Sequence, residues 1–339
     1  MSQPDKGGGL ARMRDVARMA GVSTMTVSRA LNDPAKVSPE VRERVNAAVQ
    51  AVGYLPNRLA GSLSSRRSSL VGLIVPNIDN SLYSTTIQAV SEVLRQGGHQ
   101  LMIADCGYAP EEEEALVGAF LAQQVAGLIL HNATHTEAAR TMIRRAGVPV
   151  VEIGNLPAEP LDMVVSYSNH EATRAMTLHL ARLGYRRIAL VTLPARNNDR
   201  SRDRQAGYRA ALAEAGLAED PQLVLEAPPG LASGAETIAR LVEADAPADA
   251  VFFAGDVLAI GALLECQRRG WAVPGRVAIA AFDDLELLHH LVPGISTLRL
   301  PRAEIGRRGA EILLDRIQGR STERRLVPLR FEIIQRDST

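Results

Sequence analysis

The sequence predicts a multi-domain protein in which a small all-α domain precedes a larger α/β core of two doubly wound lobes. Two observations support this prediction. Three helical patterns with recognisable first and last residues follow one another between residues 13 and 53. From Leu70 onwards, eight strongly apolar runs alternate with helical stretches of about 10–15 residues, and these runs form two sets of four at similar spacing.

The composition is that of an ordinary globular protein. The 339 residues are 46% hydrophobic, which suffices for two or three domains. Neither a secretory segment nor an apolar run of about 18 residues occurs, so we expect a cytoplasmic protein without a membrane partner. Residues 1–12 are polar and glycine-rich and are predicted to form a disordered tail. Cys106 and Cys266 lack metal-ligand spacing, which favours free buried thiols over a disulfide.

The small domain begins with a helix, a tight glycine turn and a second helix. Val16, Ala17 and Ala20 make an apolar turn that runs into Gly21, a residue able to take the left-handed conformation that ends a helix. Ser23 can cap the second helix, because its hydroxyl can accept from a backbone N–H. The second helix has an inward stripe of Val27, Ala30 and Leu31 and an outward face of Thr24, Met25, Ser28 and Arg29.

The third helix has the clearest boundaries in the chain. Ser38 is its predicted cap, Pro39 takes the first helical position, and Gly53 ends it. An apolar stripe at helical spacing lies between these residues: Val41, Val45, Ala48, Val49 and Val52. Three short helices of this kind can bury one small core.

A charge asymmetry separates this domain from the rest of the chain. Between Arg12 and Arg67, ten basic residues stand against four acidic ones, so this segment carries +6 in a chain of zero formal charge. A basic module on an acidic body indicates a polyanion partner, although a solvated surface would show the same charges. Together with the glycine turn and the polar face of the second helix, the charge favours DNA binding over a generic three-helix bundle.

The stretch PNRLAGSLSSRRSS, which follows the third helix, has the composition of a linker and the spacing of a helix. Leu59 and Leu63 lie one helical turn apart, and Asn57 is suited to cap such a helix. A segment this short is below the ~12–15 residues that an isolated helix needs, and Gly61 weakens it further. Two interpretations of residues 57–68 follow: a bare tether, or a helix that forms where two copies pack together on DNA.

The core is predicted from apolar runs that are hydrophobic on both faces, as the strands of a parallel sheet are. The runs begin near residues 71, 100, 126 and 148, and again near 188, 222, 250 and 277. A strand-like ISTLRL, a helix over 301–319 and the run LRFEIIQ then cross between the two sets. Lobe one is predicted to hold about 69–167 and 298–322, and lobe two about 168–297 and 323–339.

Ligands of open α/β sheets bind beyond the carboxyl ends of the strands, so candidate site residues are sought there. The sequence lacks a dinucleotide loop, a triphosphate loop and a G-x-S-x-G elbow, and no cofactor or metal ion is predicted. The strand ends carry polar groups suited to a small ligand: Asn80, Tyr83, Ser84, Arg202, Arg204, Asp256 and Asp283. Arginine binds carboxylates with a two-pronged fork and aspartate accepts from hydroxyls, so a hydroxylated carboxylic acid would use both. The alternative is a set of helix caps and interlobe salt bridges, and for Asp256 capping is an equal alternative.

The stretches RDVARMAGVSTMTVSRALN and VSPEVRERVNAAVQAVGYLPNRLAGSLSS resemble the N-terminal signature of the LacI/GalR family of bacterial transcription regulators over about 50 residues. By this resemblance, residues 13–56 are a helix-turn-helix DNA-binding domain whose Thr24, Met25 and Arg29 read the major groove. Phosphate contacts are implied for Ser23, Thr26, Ser28, Asn32 and Tyr54. Residues 57–68 become a hinge helix, with Asn57 as its cap and Leu63 as a wedge in the minor groove. Many relatives have a polar residue where this chain has Met25, which can offer only apolar contact.

The resemblance extends over the core, whose family fold is similar to that of periplasmic sugar-binding proteins. It implies that Arg204, in RDRQAGY, clamps the effector and that Asp283, in FDD, binds it. Gly255 and Asp256 stand where the family commonly has Asn-Asp, which removes one amide and leaves more room. Within the family, three stretches of this chain most resemble the gluconate-utilisation repressors: THTEAARTMIRRAGVPVVE, LDMVVSYSNHEATRAMT and LECQRRGWAVPGRVAIAAF.

These features predict a homodimeric, ligand-controlled repressor. Two copies would bind a pseudo-palindromic operator DNA with their recognition helices about 34 Å apart, and a sugar acid such as gluconate would release them. The alternative is an enzyme acting on a sugar or sugar acid with an attached DNA-binding module. No base and nucleophile, and no metal set, can be assembled at the strand ends to support it.

Overall fold

The computed structural model describes residues 11–54, 68–79, 82–320 and 326–339. The predictions for most of the N-terminal tail, for the hinge helix with Asn57 and Leu63, for Asn80 and for the side chain of Asn32 lie outside what is described. The chain divides into two compact units, Met1–Ser68 and Ser69–Thr339. The second unit begins where the sequence places the start of the core.

The N-terminal unit contains the three predicted helices: α1 (Met13–Ala20), α2 (Thr24–Asn32) and α3 (Pro39–Val52), with a 3-10 turn at Pro34–Lys36. Gly21 ends α1 with a φ of 65°, a left-handed conformation that costs other residues about 1–2 kcal/mol. Ser23 caps α2, since its Oγ accepts from the Thr26 N–H at 3.1 Å. Ser38 caps α3 in the same way, through the Val41 N–H. The start and stop residues predicted from the sequence are thus confirmed.

The three helices enclose one small apolar core. Val16, Val27 and Val45, one from each helix, are 0% exposed. Arg44 of α3 donates from Nε and Nη2 to the carbonyl oxygen of Ala20, at 3.2 and 2.8 Å. Carbonyls at the end of a helix lack partners within it, so these bonds tie the end of α1 to α3. The turn before α2 is therefore held in place.

The described part of the core contains twelve strands and nine α-helices, with a 3-10 turn at Pro221–Leu223. The strands are β1 (Leu70–Val75), β2 (Gln100–Asp105), β3 (Gly127–Leu130), β4 (Val150–Glu152), β5 (Met163–Ser166), β6 (Ile188–Thr192), β7 (Val224–Glu226), β8 (Ala250–Phe253), β9 (Ala278–Phe282), β10 (Ser296–Arg299), β11 (Leu326–Pro328) and β12 (Glu332–Ile334). The helices are α4 (Leu82–Gln96), α5 (Pro110–Ala122), α6 (Glu137–Ala146), α7 (Asn169–Arg182), α8 (Asp199–Ala215), α9 (Leu231–Val242), α10 (Asp256–Arg269), α11 (Glu286–His290) and α12 (Arg302–Ile317).

The strands form two six-stranded sheets, one in each lobe. Their order is β11-β5-β4-β3-β1-β2 in lobe one and β12-β10-β9-β8-β6-β7 in lobe two. The central pairings are parallel, and the antiparallel partner of β10 is the edge strand β12. Strands of a parallel sheet are covered on both faces, and β3, β6 and β8 are buried along their whole length. The prediction of two doubly wound lobes is confirmed.

Two of the crossings between the lobes differ from the prediction. β10 pairs with β9 and β12, so the whole strand belongs to lobe two, and the crossing predicted at 298 comes after Arg299. β11 pairs with β5, so residues 326–328 belong to lobe one, and the return predicted at 323 lies between Pro328 and Glu332. Neither β5 nor β11 belongs to the eight apolar runs from which the strands are predicted.

Candidate DNA-binding helix and ligand pocket

Helix α2 exposes the side chains that the sequence assigns to base recognition. Thr24, Met25 and Arg29 are exposed, and Met25 is 63% exposed although its side chain is apolar. Ser23 and Thr26, assigned to phosphate contacts, share a hydrogen bond between their hydroxyls at 2.9 Å. These residues lie toward the N-terminal end of α2, which is the end that a recognition helix presents to base edges.

Two other residues assigned to phosphate contacts are less accessible. Ser28 is half-buried, and Tyr54 is 8% exposed with its ring in the core of the N-terminal unit. The Tyr54 ring therefore stabilises the small domain by packing. A phosphate contact from its hydroxyl stays a prediction.

A pocket of about 60 Å³ lies between the two lobes, beyond the carboxyl ends of their strands. Lobe one contributes Leu82, Tyr83, Tyr108 and Arg302 to its wall. Lobe two contributes Leu193, Asn198, Arg200, Arg204, Pro229, Ala254, Gly255, Asp256, Val257, Leu258 and Asp283. The structure thus brings together four residues that the sequence proposed for effector binding: Tyr83, Arg204, Asp256 and Asp283.

Arg202, also proposed for effector binding, does not line this pocket. It is exposed and donates to the carbonyl oxygen of Ala195 at 2.9 Å. Arg200, which the sequence analysis missed, lines the pocket instead. Arg200 and Arg204 are four residues apart in α8 and share one helix face, whereas Arg202 lies on another face. This i, i+4 spacing is the signal that could have identified Arg200.

Ser84 is likewise placed outside the pocket. It follows the buried Tyr83 on α4 and therefore lies on a different face of the helix. It lines an open outer cleft of about 640 Å³, which adjoins the pocket at Leu82, Asp283 and Arg302.

Helix α8 is held against α7 by a direct backbone contact. A Cβ on Gly207 would lie 2.1 Å from the carbonyl oxygen of His170, so only glycine lets the two helices approach this closely. Asn198 caps α8 by accepting from the Ser201 N–H. Asn169, the first residue of α7, accepts from Arg204 Nε at 2.9 Å. The packing of two helices thus determines where the arginines of α8 point.

Both arginines of α8 present positive charge to the pocket. Arg204 is 8% exposed and donates from Nη1 to the carbonyl oxygen of Ala254 at 2.8 Å. Its Cζ lies 3.7 Å from the centre of the Phe282 ring. Arg200 donates from Nη1 to the carbonyl oxygen of His131 at 3.2 Å and to Asn132 Oδ1 at 3.1 Å. Arg200 Nη2 is buried and has no hydrogen-bond partner within the described residues. A carboxylate would satisfy this nitrogen.

Asp256 opens α10 and is 2% exposed. Gly255 takes the cap position of this helix, with no side-chain cap bond, and Asp256 Oδ2 is buried without a hydrogen-bond partner in the part of the chain described. Burial, followed by the nearby Asp283 carboxylate, raises the pKa of Asp256 to about 6. A ligand hydroxyl donating to Oδ2 would satisfy it.

Asp283 takes part in an interlobe salt bridge, the alternative that the sequence left open. Arg302 donates to it with both prongs, Nε to Oδ1 at 2.8 Å and Nη2 to Oδ2 at 2.6 Å. Charge of both signs therefore meets in the pocket.

Apart from Leu82 and Arg302, the lobe-one side of the pocket is aromatic and uncharged. The rings of Tyr83 and His131 meet edge to face at 4.7 Å. Burial, followed by Tyr108, raises the pKa of Tyr83. Burial, followed by Arg200, Arg302 and Arg204, lowers the pKa of His131 well below its usual value. Both side chains are neutral near pH 7, so the charged groups of the pocket are its arginines and aspartates.

Two further classes of feature, a metal site and a membrane-spanning helix, do not occur in the described ranges. No three histidine, cysteine, aspartate or glutamate side chains come together there in a group able to hold a metal ion. No helix there is both long and apolar enough to cross a membrane.

Comparisons with known proteins agree with this architecture. Residues 12–57 match the family of bacterial regulatory proteins of the lacI family, and residues 177–339 match a periplasmic binding protein-like domain. The chain is 37% identical to the HTH-type transcriptional regulator GntR of Escherichia coli (strain K12) over 321 residues, which are 95% of this chain and 96% of that protein.

Two solved structures are similar over nearly the whole chain. A LacI-family transcriptional regulator from Silicibacter pomeroyi has a TM-score of 0.89 and 33% identity, covering 97% of this chain and 99% of that one. The lac repressor dimer bound to operator and the anti-inducer ONPF has a TM-score of 0.84 and 26% identity, with the same coverage. The helix-turn-helix unit, the two-lobed core and these relatives together show that the chain is a DNA-binding transcription regulator of the LacI family, not an enzyme.

Proposed function

We propose that this regulator is a cytoplasmic homodimeric repressor of genes for sugar-acid breakdown, and that a gluconate-type acid releases it from a pseudo-palindromic operator. The observation that carries the proposal is the pair of unpartnered buried atoms in one pocket, Arg200 Nη2 and Asp256 Oδ2. Buried polar groups without partners are rare, because each costs about 1–3 kcal/mol. A ligand that brings both a carboxylate and hydroxyl groups would satisfy both atoms.

The remaining groups of the pocket favour the same ligand class. Arg204 donates to neutral oxygens of Asn169 and Ala254, so its positive charge can still be matched by a carboxylate. Asp256 and Asp283 are suited to accept from several hydroxyls. The resemblance of three stretches to the gluconate-utilisation repressors points the same way.

Control of DNA binding requires two lobe arrangements that differ in ligand affinity, because a ligand with equal affinity for both shifts nothing. The pocket is suited to this role, since Tyr83 and Arg302 come from lobe one while Arg204 and Asp256 come from lobe two. The solved lac repressor is a dimer bound to operator, which supports a dimer here. One recognition helix from each copy would then contact one half-site.

The test of the ligand proposal is a pair of variants on the same helix. Arg200→Gln removes the guanidinium whose Nη2 has no partner among the described residues, whereas Arg202→Gln removes an exposed arginine two residues away. We expect Arg200→Gln to weaken gluconate binding at least about tenfold, because a charged hydrogen bond is lost. We expect Arg202→Gln to bind as the parent does. Isothermal titration calorimetry measures both, and equal affinities for parent and Arg200→Gln would contradict the proposal.

A further inference from the structure

The salt bridge between Arg302 and Asp283 joins the two lobes directly. Asp283 follows β9 in lobe two, and Arg302 begins α12, which packs on α4 in lobe one. The Thr86 hydroxyl donates to the carbonyl oxygen of Arg302 at 3.1 Å, which fixes its backbone to lobe one. Arg302 therefore moves with lobe one and Asp283 with lobe two.

The backbone of Asp283 is held in an uncommon conformation. Its φ is 76°, in the left-handed region that few residues other than glycine adopt. The Thr297 hydroxyl, on β10, donates to the Asp283 carbonyl oxygen at 2.7 Å and holds it there. Strained backbone of this kind is concentrated at functional sites. The backbone that carries the Asp283 carboxylate is thus held in lobe two, as the backbone of Arg302 is held in lobe one.

The same salt bridge separates the pocket from the outer cleft. Leu82, Asp283 and Arg302 line both cavities, the inner one of about 60 Å³ and the outer one of about 640 Å³. Pockets that enclose small ligands measure about 300–1,000 Å³. The inner cavity is too small for a sugar acid while Arg302 lies on Asp283. Separating the two side chains would join the inner cavity to the outer cleft and make room for a ligand of that size.

Separation has a cost that depends on the ligand. Arg302 is 14% exposed and Asp283 is 5% exposed at the side chain, so breaking the bridge leaves two largely buried charges. Removing one partner of a buried ion pair is strongly unfavourable, because the other charge loses its compensation. A neutral polyol could give hydroxyl donors to Asp283, but it could offer Arg302 only neutral acceptors and no compensating negative charge. An acid could give both, through its hydroxyls and its carboxylate.

We propose that Arg302 is a specificity-determining residue, which makes the pocket reject neutral sugars and accept sugar acids. The carboxylate of the ligand binds the guanidinium of Arg302. The hydroxyls of the ligand replace that guanidinium as hydrogen-bond donors to Asp283. Specificity then comes from the penalty on the wrong ligand as well as from contacts to the right one. This inference rests on the proposed sugar-acid effector and identifies the residue that selects it.

The test compares gluconate with glucitol, which has a hydroxymethyl group in place of the carboxylate. Affinities of both are measured by calorimetry on the full-length parent and on Arg302→Gln, Arg302→Lys and Arg299→Gln. Arg299→Gln is the matched control, because it removes a neighbouring arginine that pairs with Asp284 at 2.9 Å within lobe two. The double variant Asp283→Asn, Arg302→Gln removes both buried charges. It replaces Arg302→Gln in the comparison if that single variant folds poorly.

We expect the parent to bind gluconate more tightly than glucitol. Arg302→Gln should reduce this preference at least about tenfold. Part of the reduction should come from tighter binding of glucitol to the variant, which is the result specific to this inference. The double variant should also lose the preference, whereas Arg302→Lys should keep part of it and Arg299→Gln all of it. A parent that discriminates and an Arg302→Gln variant that discriminates equally would overturn this inference and leave the sugar-acid proposal intact. A parent that binds neither compound would overturn both.

Discussion

Asp256 shows at the scale of one residue how the pocket is kept ready for a ligand. Its pKa is raised from 3.8 to about 6 by burial and then by Asp283, so the folded protein binds this proton more tightly than the unfolded chain does. The free energy of unfolding therefore falls as the pH rises between about 4 and 6, and above that range an ionised Asp256 costs about 3 kcal/mol. Residues that bind ligands are often unfavourable for stability in this way.

The variant Asp256→Asn tests this cost. We expect it to melt at a higher temperature than the parent at pH 7.5, because the buried charge is removed. The advantage should shrink as the pH is lowered to 5, where the folded parent is already protonated. Thermal melts at both pH values check this, with Asp245→Asn as a control at an exposed acid. A variant no more stable than the parent at pH 7.5 would contradict the account, and gluconate binding should weaken in any case.

Helix α8 carries both arginines of the lobe-two wall, and its position depends on Gly207. The approach to α7 leaves no room for a side chain, since a Cβ would meet the His170 carbonyl oxygen at 2.1 Å. A shift of α8 away from α7 would move Arg204 off Asn169 and off the Phe282 ring. The geometry of the pocket is therefore a property of helix packing as much as of the residues that line it.

Gly207→Ala should lower both the stability of the core and its affinity for gluconate. Overpacking of this kind costs about 1–3 kcal/mol. Gly118→Ala on α5 is the control, because its Cβ would meet nothing nearer than Met142 Sδ at 3.7 Å and alanine favours a helix. Thermal melting and calorimetry check both variants. A gluconate affinity of Gly207→Ala equal to that of the parent would show that the packing of α8 on α7 does not determine the geometry of the pocket.

The elements differ in how far the sequence could predict them. The ends of α1, α2 and α3 follow from local chemistry, because capping hydroxyls and left-handed glycines act within a few residues. The eight apolar runs were placed within a few residues of their strands. β5, β11 and the pairing of Arg302 with Asp283 depend on contacts between segments distant in sequence. No local pattern reports such contacts. Arg200 is intermediate, since its i, i+4 spacing from Arg204 is a local pattern that can be recognised in the sequence.

At the scale of the whole molecule, the central claim is that one ligand changes the affinity of the protein for DNA. The two lobes are joined by three crossings and by contacts of Arg200 and Arg302 around one pocket. A ligand that rearranges these contacts shifts the population between lobe arrangements. The coupling is reciprocal, so operator DNA should also change the affinity for the acid.

The measurement that tests this claim most directly is operator affinity with and without gluconate. The operator is a duplex selected in vitro from a random pool with the full-length protein, and its affinity is measured by fluorescence anisotropy at fixed salt. We expect saturating gluconate to weaken operator binding at least about tenfold, a typical allosteric coupling. Arg204→Ala should bind the operator as the parent does and lose this response. An operator affinity that does not change at gluconate concentrations that raise the melting temperature of the parent would contradict the account.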